Sequence, residues 1–167
     1  MNVKIYVGTY GKYNAGSIKG AWLNLEDYSS LSEFYEACKE LHKEEREPEF
    51  MYQDWECEAE GLISESWVDE RVFDFLALDD HEQKIVAIYS KISGDFATAI
   101  EHAVDRFAGT ADSHGDFVFD QVEQLGEINL EALNGLVIDW EASWESAYRF
   151  DYDSVRHEGE NYYFYTH

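Results

Sequence analysis

The sequence predicts an α+β fold made of three small units, and three observations predict it. Aromatic-rich runs with the character of strands stand at the two ends of the chain, around Val3 to Tyr10 and Tyr162 to Tyr165. Apolar spacings of three and four residues dominate the middle. No Pro-rich or Ser-rich linker separates the runs, so the units are expected to touch rather than swing freely. The chain has 167 residues, 45% hydrophobic and 16% aromatic, which is too rich in large apolar side chains for a disordered acidic tail. A chain of this size can bury about 70% of its surface and so build a core.

The first unit, residues 1–60, is read as a small antiparallel sheet with one helix. The runs Val3 to Tyr10 and Ser17 to Leu25 flank a connection containing Gly11, Asn14 and Gly16, which reads as a hairpin. A helix is predicted over Ser30 to Glu47, where Leu31, Phe34, Cys38 and Leu41 form the buried stripe and Pro48 supplies the stop. Phe50 to Glu56 reads as a third strand. The second unit, 61–109, is helical, with segments at Glu65 to Leu78, Asp80 to Ile92 and Asp95 to Ala108. In the last of these Phe96, Ala99, Ile100, Ala103, Val104 and Phe107 share one face, and Gly109 sits where a C-terminal stop belongs. The third unit, 110–167, mixes helix and antiparallel strand: helices at Asp116 to Leu125 and Asp139 to Tyr148, a strand from Arg149 to Arg156, a turn near Glu158 to Asn161, and a closing strand Tyr162 to Tyr165.

Charge narrows the function more than any motif does. The 36 acids against 12 Lys and Arg give a formal net charge of -24, which excludes ordinary nucleic-acid binding, since that needs a basic footprint, and disfavours anionic membranes. Residues 1–25 hold Lys4, Lys12 and Lys19 and no acid, residues 26–91 hold 20 acids against 6 bases, and residues 92–167 hold 16 against 3. From Phe107 to Tyr148 there are nine acids and no Lys or Arg, whereas an ordinary solvated surface mixes both signs. With only Cys38 and Cys57 there is no disulfide framework and no four-thiolate site, so a reducing cytoplasm is the expected compartment. The opening MNVKIYVGTYGKYN lacks the apolar core of a signal peptide, and no stretch approaches the length of a membrane span.

Motifs for chemistry fail one by one. Gly11 to Ser17 has the glycine spacing of a phosphate-binding loop, but Ser17 replaces the lysine. His81-Glu82 begins a helical zinc motif that Ile85 breaks, and Asp112 to Glu123 and Asp151 to Glu160 lack the pattern of a calcium loop. Asp139, Glu141 and Glu145 beside Trp140 and Trp144 are the residue types of a glycoside hydrolase, but in so acidic a chain such neighbours arise by chance. The sequence therefore predicts no enzyme, no cofactor and no metal.

The carboxylates themselves form the pattern. Glu33, Glu36, Glu40, Glu44 and Glu47 recur every three or four residues along the first helix, opposite its apolar stripe, and Asp116, Asp120, Glu123 and Glu127 make a second row. Like charges so placed destabilise a helix by about 0.2–0.5 kcal/mol per pair. Lys39, Lys43 and Arg46 offset the first row; nothing near the second does. The candidate partner-binding carboxylates are these two rows together with Glu56, Glu58, Glu60, Glu65, Asp69, Asp74, Asp79, Asp80, Glu101, Asp105 and Asp112. Duplex DNA carries one charge per about 1.7 Å of axis, so a charge of this size matches about 12 base pairs. An acidic decoy for DNA, or an acidic partner of some other basic protein, is what the charge implies.

The opening IYVGTYGKYNAGSIKGAWLNL, followed by an acidic helix and FMYQDWE, resembles the N-terminal region of the ArdA antirestriction proteins, and the resemblance extends over the whole chain. It implies an elongated chain of three small domains that acts as a DNA mimic carried on mobile elements in bacterial hosts. It further implies a homodimer that binds no nucleic acid or membrane and occupies the DNA-binding groove of the methyltransferase core of Type I restriction-modification enzymes. The antirestriction motif of that family falls near Cys57 to Leu76, CEAEGLISESWVDERVFDFL. The dimer interface falls in the third unit, with Trp140, Trp144, Tyr162 and Phe164 as its candidate residues. The alternative is an acidic module that sequesters another basic DNA-binding or defence protein.

Overall fold

The computed structural model describes residues 2–126 and 128–167, so Glu127 of the second acidic row lies outside the described residues. The fold is α+β, with two three-stranded antiparallel sheets and seven α-helices among the described residues. In the first sheet β1 (Lys4–Thr9) lies between β2 (Ala21–Asn24) and β3 (Phe50–Glu56), the order being β2-β1-β3. Val3, Ile5 and Val7 point into the core as strand alternation requires. The connection from β1 to β2 is more than a turn, because Tyr10–Asn14 forms a short helix, α1, started by the Thr9 hydroxyl accepting from the Lys12 amide at 3.1 Å. Gly20 then runs so close to β1 that a Cβ there would overlap the Val7 carbonyl.

Helix α2 (Leu31–Leu41) starts where predicted, with the Ser30 hydroxyl on the Glu33 amide and the Glu33 carboxylate on the Ser29 amide. It ends well before Pro48. The stop is His42, which is buried, with Nε2 3.1 Å from the Val7 carbonyl and Nδ1 2.6 Å from the Lys12 ammonium. A tertiary anchor therefore terminates this helix, and Glu44 and Glu47 lie beyond it. The predicted helix over Glu65 to Leu78 shortens in the same way to α3 (Arg71–Ala77). Its first half is a turn tied to β3 and to itself: the Tyr52 amide donates to the Glu65 carbonyl at 2.8 Å, the Asp69 amide donates to the Leu62 carbonyl at 2.7 Å, and Ile63 and Val68 form a bridge.

Helix α4 (Asp80–Ser93) has a full capping box of Asp79 and Glu82 and stops at left-handed Gly94. Asp95 caps α5 (Phe96–Arg106). The expectation that Gly109 ends this helix is overturned: Phe107–Ala111 is a strand, β4, and Gly109 sits at its irregularity with φ of 134°. Helix α6 (His114–Leu125) is capped by Ser113 and closed by left-handed Gly126, and α7 (Trp140–Ser146) is capped by Asp139. Strands β5 (Tyr152–His157) and β6 (Glu160–Tyr165) form a hairpin around Glu158 and Gly159, both at positive φ, as a two-residue turn matching strand twist requires. The second sheet has the order β4-β6-β5.

β6 explains how the chain packs. Tyr162 and Phe164 face one hydrophobic cluster, which runs from Val3 and Phe34 through Phe75, Ile88 and Ala103; Tyr163 faces a smaller one with Phe117, Val118, Val122 and Trp144. A strand covered on both faces reads as a continuous apolar run, and NYYFY is that run.

Candidate functional site

Of the carboxylates singled out in the sequence, every described one except Asp69 is exposed, and Asp69 is half-buried. What separates them is how much of their charge the chain itself uses. On α2, Glu36 pairs with Lys39 and Glu40 with Lys43, each at 2.6 Å. Glu33 is spent on the helix start, and the Ser29 amide holds its carboxyl below the usual range. Beyond the helix, Glu44 takes a 2.5 Å hydrogen bond from Lys12, which holds its carboxyl down at about 2. The offset expected from Lys39 and Lys43 is present, and Lys12, which the sequence did not place near this row, adds to it.

The middle of the chain is mixed. Arg71 bridges Asp69 and Glu101, at 2.7 Å each, and the bond to Arg71 is the main cause that lowers the Asp69 carboxyl. Glu65 accepts from the Tyr10 hydroxyl at 2.8 Å, and Asp79 caps α4. No ion pair reaches Glu47, Glu56, Glu58, Glu60, Asp74, Asp80 or Asp105 among the described residues. In the segment of the predicted motif, Leu62, Ile63, Val68, Val72 and Phe75 are buried while Glu58, Glu60, Glu65, Glu70 and Asp74 stay outside. The segment has one apolar face toward the core and one acidic face toward solvent.

The least compensated surface is that of α6. Asp116, Asp120 and Glu123 share its exposed side, with Asp112 just before it, and among the described residues none of them meets a Lys or Arg. Only Asp116 has a local role, accepting from the Ser113 hydroxyl at 2.6 Å. The opposite side of α6 is fixed by Phe117, stacked on Tyr163 with ring centres 3.8 Å apart, and by Trp144, stacked on His114 at 4.3 Å. The acidic side is therefore carried by a helix with a packed back.

The carboxylates weighed for glycoside hydrolysis serve structure instead. Asp139 caps α7, Glu141 accepts from the Gly115 amide at 2.7 Å, and Glu145 pairs with Arg149 at 2.8 Å. One cluster was not legible in the sequence: His42, Glu44 and Glu45 bring ligand-type atoms within 4.8 Å of one another. The Lys12 ammonium already occupies that position, 2.6 Å from His42, 2.5 Å from Glu44 and 3.4 Å from Glu45.

The proposed dimer residues divide differently from expectation. Trp144, Tyr162 and Phe164 are buried in the chain's own core, and half-buried Trp140 packs edge-on against Phe119 at 5.6 Å. Core packing thus claims Trp144, Tyr162 and Phe164. Its exposed apolar side chains include Leu125, Ile128, Leu136 and Val137, with Val137 94% exposed. No helix among the described residues is long and apolar enough to cross a membrane.

The acids are thus spread over several elements, some tied into caps and ion pairs and others, those of α6 above all, exposed without a Lys or Arg among the described residues. A family model described as antirestriction protein (ArdA) matches residues 5–160, so the chain belongs to the ArdA family of antirestriction proteins, which are non-catalytic inhibitors. No curated protein and no solved structure gave a significant match.

Proposed function

We propose that this antirestriction protein works as a DNA mimic, occupying the DNA-binding groove in the methyltransferase core of a Type I restriction-modification enzyme. The observation that carries this reading is the uncompensated acidic face of α6 and its approach, within a stretch of nine acids without a Lys or Arg. A row with no cation costs helix stability, and an external basic groove supplies what the fold leaves out. Carboxylates one helical turn apart are separated by about 5–6 Å between Cβ atoms, a spacing similar in scale to that of phosphates along a DNA strand. Association is steered by charge and weakens with salt.

The protein acts as a homodimer on this reading, with the exposed apolar side chains Leu125, Ile128, Leu136 and Val137 as the candidate contacts. Two copies double the length of duplex imitated. The compartment is the bacterial cytoplasm, where the target works. Expression in a host carrying a Type I system tests the reading: plating of unmodified phage is expected to rise, while unchanged plating with folded protein present contradicts it. Binding to an unrelated basic protein with no effect on the restriction enzyme favours the sequestering module.

A further inference from the structure

An open groove rich in aromatic side chains lies against the first sheet. Its volume is about 600 Å³, and Tyr6, Tyr13, Trp22 and Trp55 line it together with Asp54 and Glu65. Tyr13, Trp22 and Trp55 are 52%, 44% and 39% exposed, and none of these four aromatics belongs to the chain's core clusters. The groove is held in place from beneath. Tyr6 donates its hydroxyl to the Ile18 carbonyl at 3.1 Å and meets the Trp22 ring edge-on at 5.6 Å, and Gly20 lets that strand close onto β1. Exposed aromatics gathered in one concave surface mark an interaction site rather than ordinary surface scatter.

Charge decides the occupant. The charged side chains in the lining are Asp54 and Glu65, both exposed carboxylates; Lys4 on β1 and Lys19 just before β2 do not line the groove. Flat aromatic walls with acids at the rim fit a guanidinium, which is planar, weakly hydrated, stacks on aromatic faces and pairs with carboxylates, better than the compact, strongly hydrated ammonium of lysine. Trp, Tyr and Arg are also the residue types that dominate binding energy at protein interfaces. We infer that this groove is a binding site for an arginine side chain presented by a basic protein partner. It adds a contact of short range to the long-range acidic field. The site stands on its own geometry; its use in inhibition rests on the proposed mimicry.

The test uses hexa-arginine and hexa-lysine as probes, at about 0.3 M salt to screen the diffuse field, with the indole N–H resonances as readout. Hexa-arginine is expected to shift Trp22 and Trp55 and to bind more tightly than hexa-lysine. Trp22→Ala with Trp55→Ala weakens hexa-arginine binding about tenfold, and Trp67→Ala, an exposed tryptophan outside the groove lining, leaves it unchanged. Asp54→Asn keeps the aromatic walls and lowers the affinity by about two- to fivefold, which preserves the test if the double variant unfolds. Equal binding of the two peptides, without groove shifts and without loss in the variants, overturns the site. In displacement of duplex from a Type I methyltransferase core, the double variant is expected to be weaker at every salt with an unchanged salt slope. Wild-type displacement by the double variant removes the groove from inhibition and leaves mimicry standing. Failure of the wild-type protein to displace, with hexa-arginine still in the groove, removes mimicry and leaves the site standing.

Discussion

Neutralising the unpaired acids of the α6 region distinguishes a functional row from a merely wet helix face. The perturbation is Asp112→Asn, Asp120→Asn and Glu123→Gln together, three exposed groups that no ion pair in the described structure uses. A carboxylate facing a cation across about 5 Å of water gains an energy on the order of RT, roughly halved by screening at physiological salt, which is about a factor of two in affinity. Any one replacement therefore matters little, whereas the three together weaken inhibition about eightfold. The assay is displacement of a labelled, site-containing duplex from a Type I methyltransferase core at several salt concentrations, where the triple variant should also show a shallower salt dependence. The comparison is Glu36→Gln with Glu40→Gln, which strips the partners from Lys39 and Lys43 on a face already balanced. It is expected to cost less than about twofold. A triple variant that inhibits like wild type, or an α2 pair that costs as much as the triple, refutes the assignment of the face.

Three further outcomes follow from the same geometry. Leu136→Asp with Val137→Asp places two charges on side chains that are 74% and 94% exposed, so the fold persists while sedimentation reports a monomer; an unchanged dimer contradicts that interface. Tyr163→Phe removes the hydroxyl 2.9 Å from His114 Nδ1 in the buried aromatic stack, which should cost about 1–2 kcal/mol in urea unfolding, and a loss near zero contradicts the bond. Glu33, Glu44, Asp69 and Asp95 have carboxyls held below their ordinary values of 4.5 for Glu and 3.8 for Asp, with Glu44 at about 2. Their stabilisation is complete above the unfolded values and is lost as pH falls through the folded ones. The melting temperature, followed in high salt to screen the opposing relief of acid–acid repulsion, is expected to drop between about pH 4.5 and 2; a flat or rising profile contradicts these contacts.

Local signals were legible where local chemistry decides. β3 follows the aromatic run Phe50 to Glu56 without a shift, and α4 starts at its capping box and ends at Gly94 close to the predicted boundary. The misses share another cause, competition from distant residues. α2 stops because His42 reaches Val7 and Lys12, and residues 65–70 are not helical because their backbone groups bond to Tyr52, Leu62 and Ser64. β4 was hidden because the helical stripe of α5 continues into Phe107, while a glycine at 109 serves a strand irregularity as well as a helix stop.

The acidic character of the surface was legible from the rows alone, but their free charge was not. Lys12 lies 32 residues from Glu44, a pairing that no spacing rule reveals. The aromatic groove was not legible for the same reason, since Tyr6, Trp22 and Trp55 come together only when the sheet forms. Trp144, Tyr162 and Phe164 carried the right chemistry for an interface, but Trp144 packs within the smaller cluster and Tyr162 and Phe164 pack into the large cluster shared with the rest of the chain.

The central claim, that this protein and DNA compete for one groove, is tested most directly by measuring its affinity for a Type I methyltransferase core twice. One measurement uses the free core and the other the core saturated with a duplex containing its recognition site. Mimicry predicts tight, salt-sensitive binding to the free core and none to the saturated one. Equal binding to both, with duplex and protein held in one ternary complex, contradicts it.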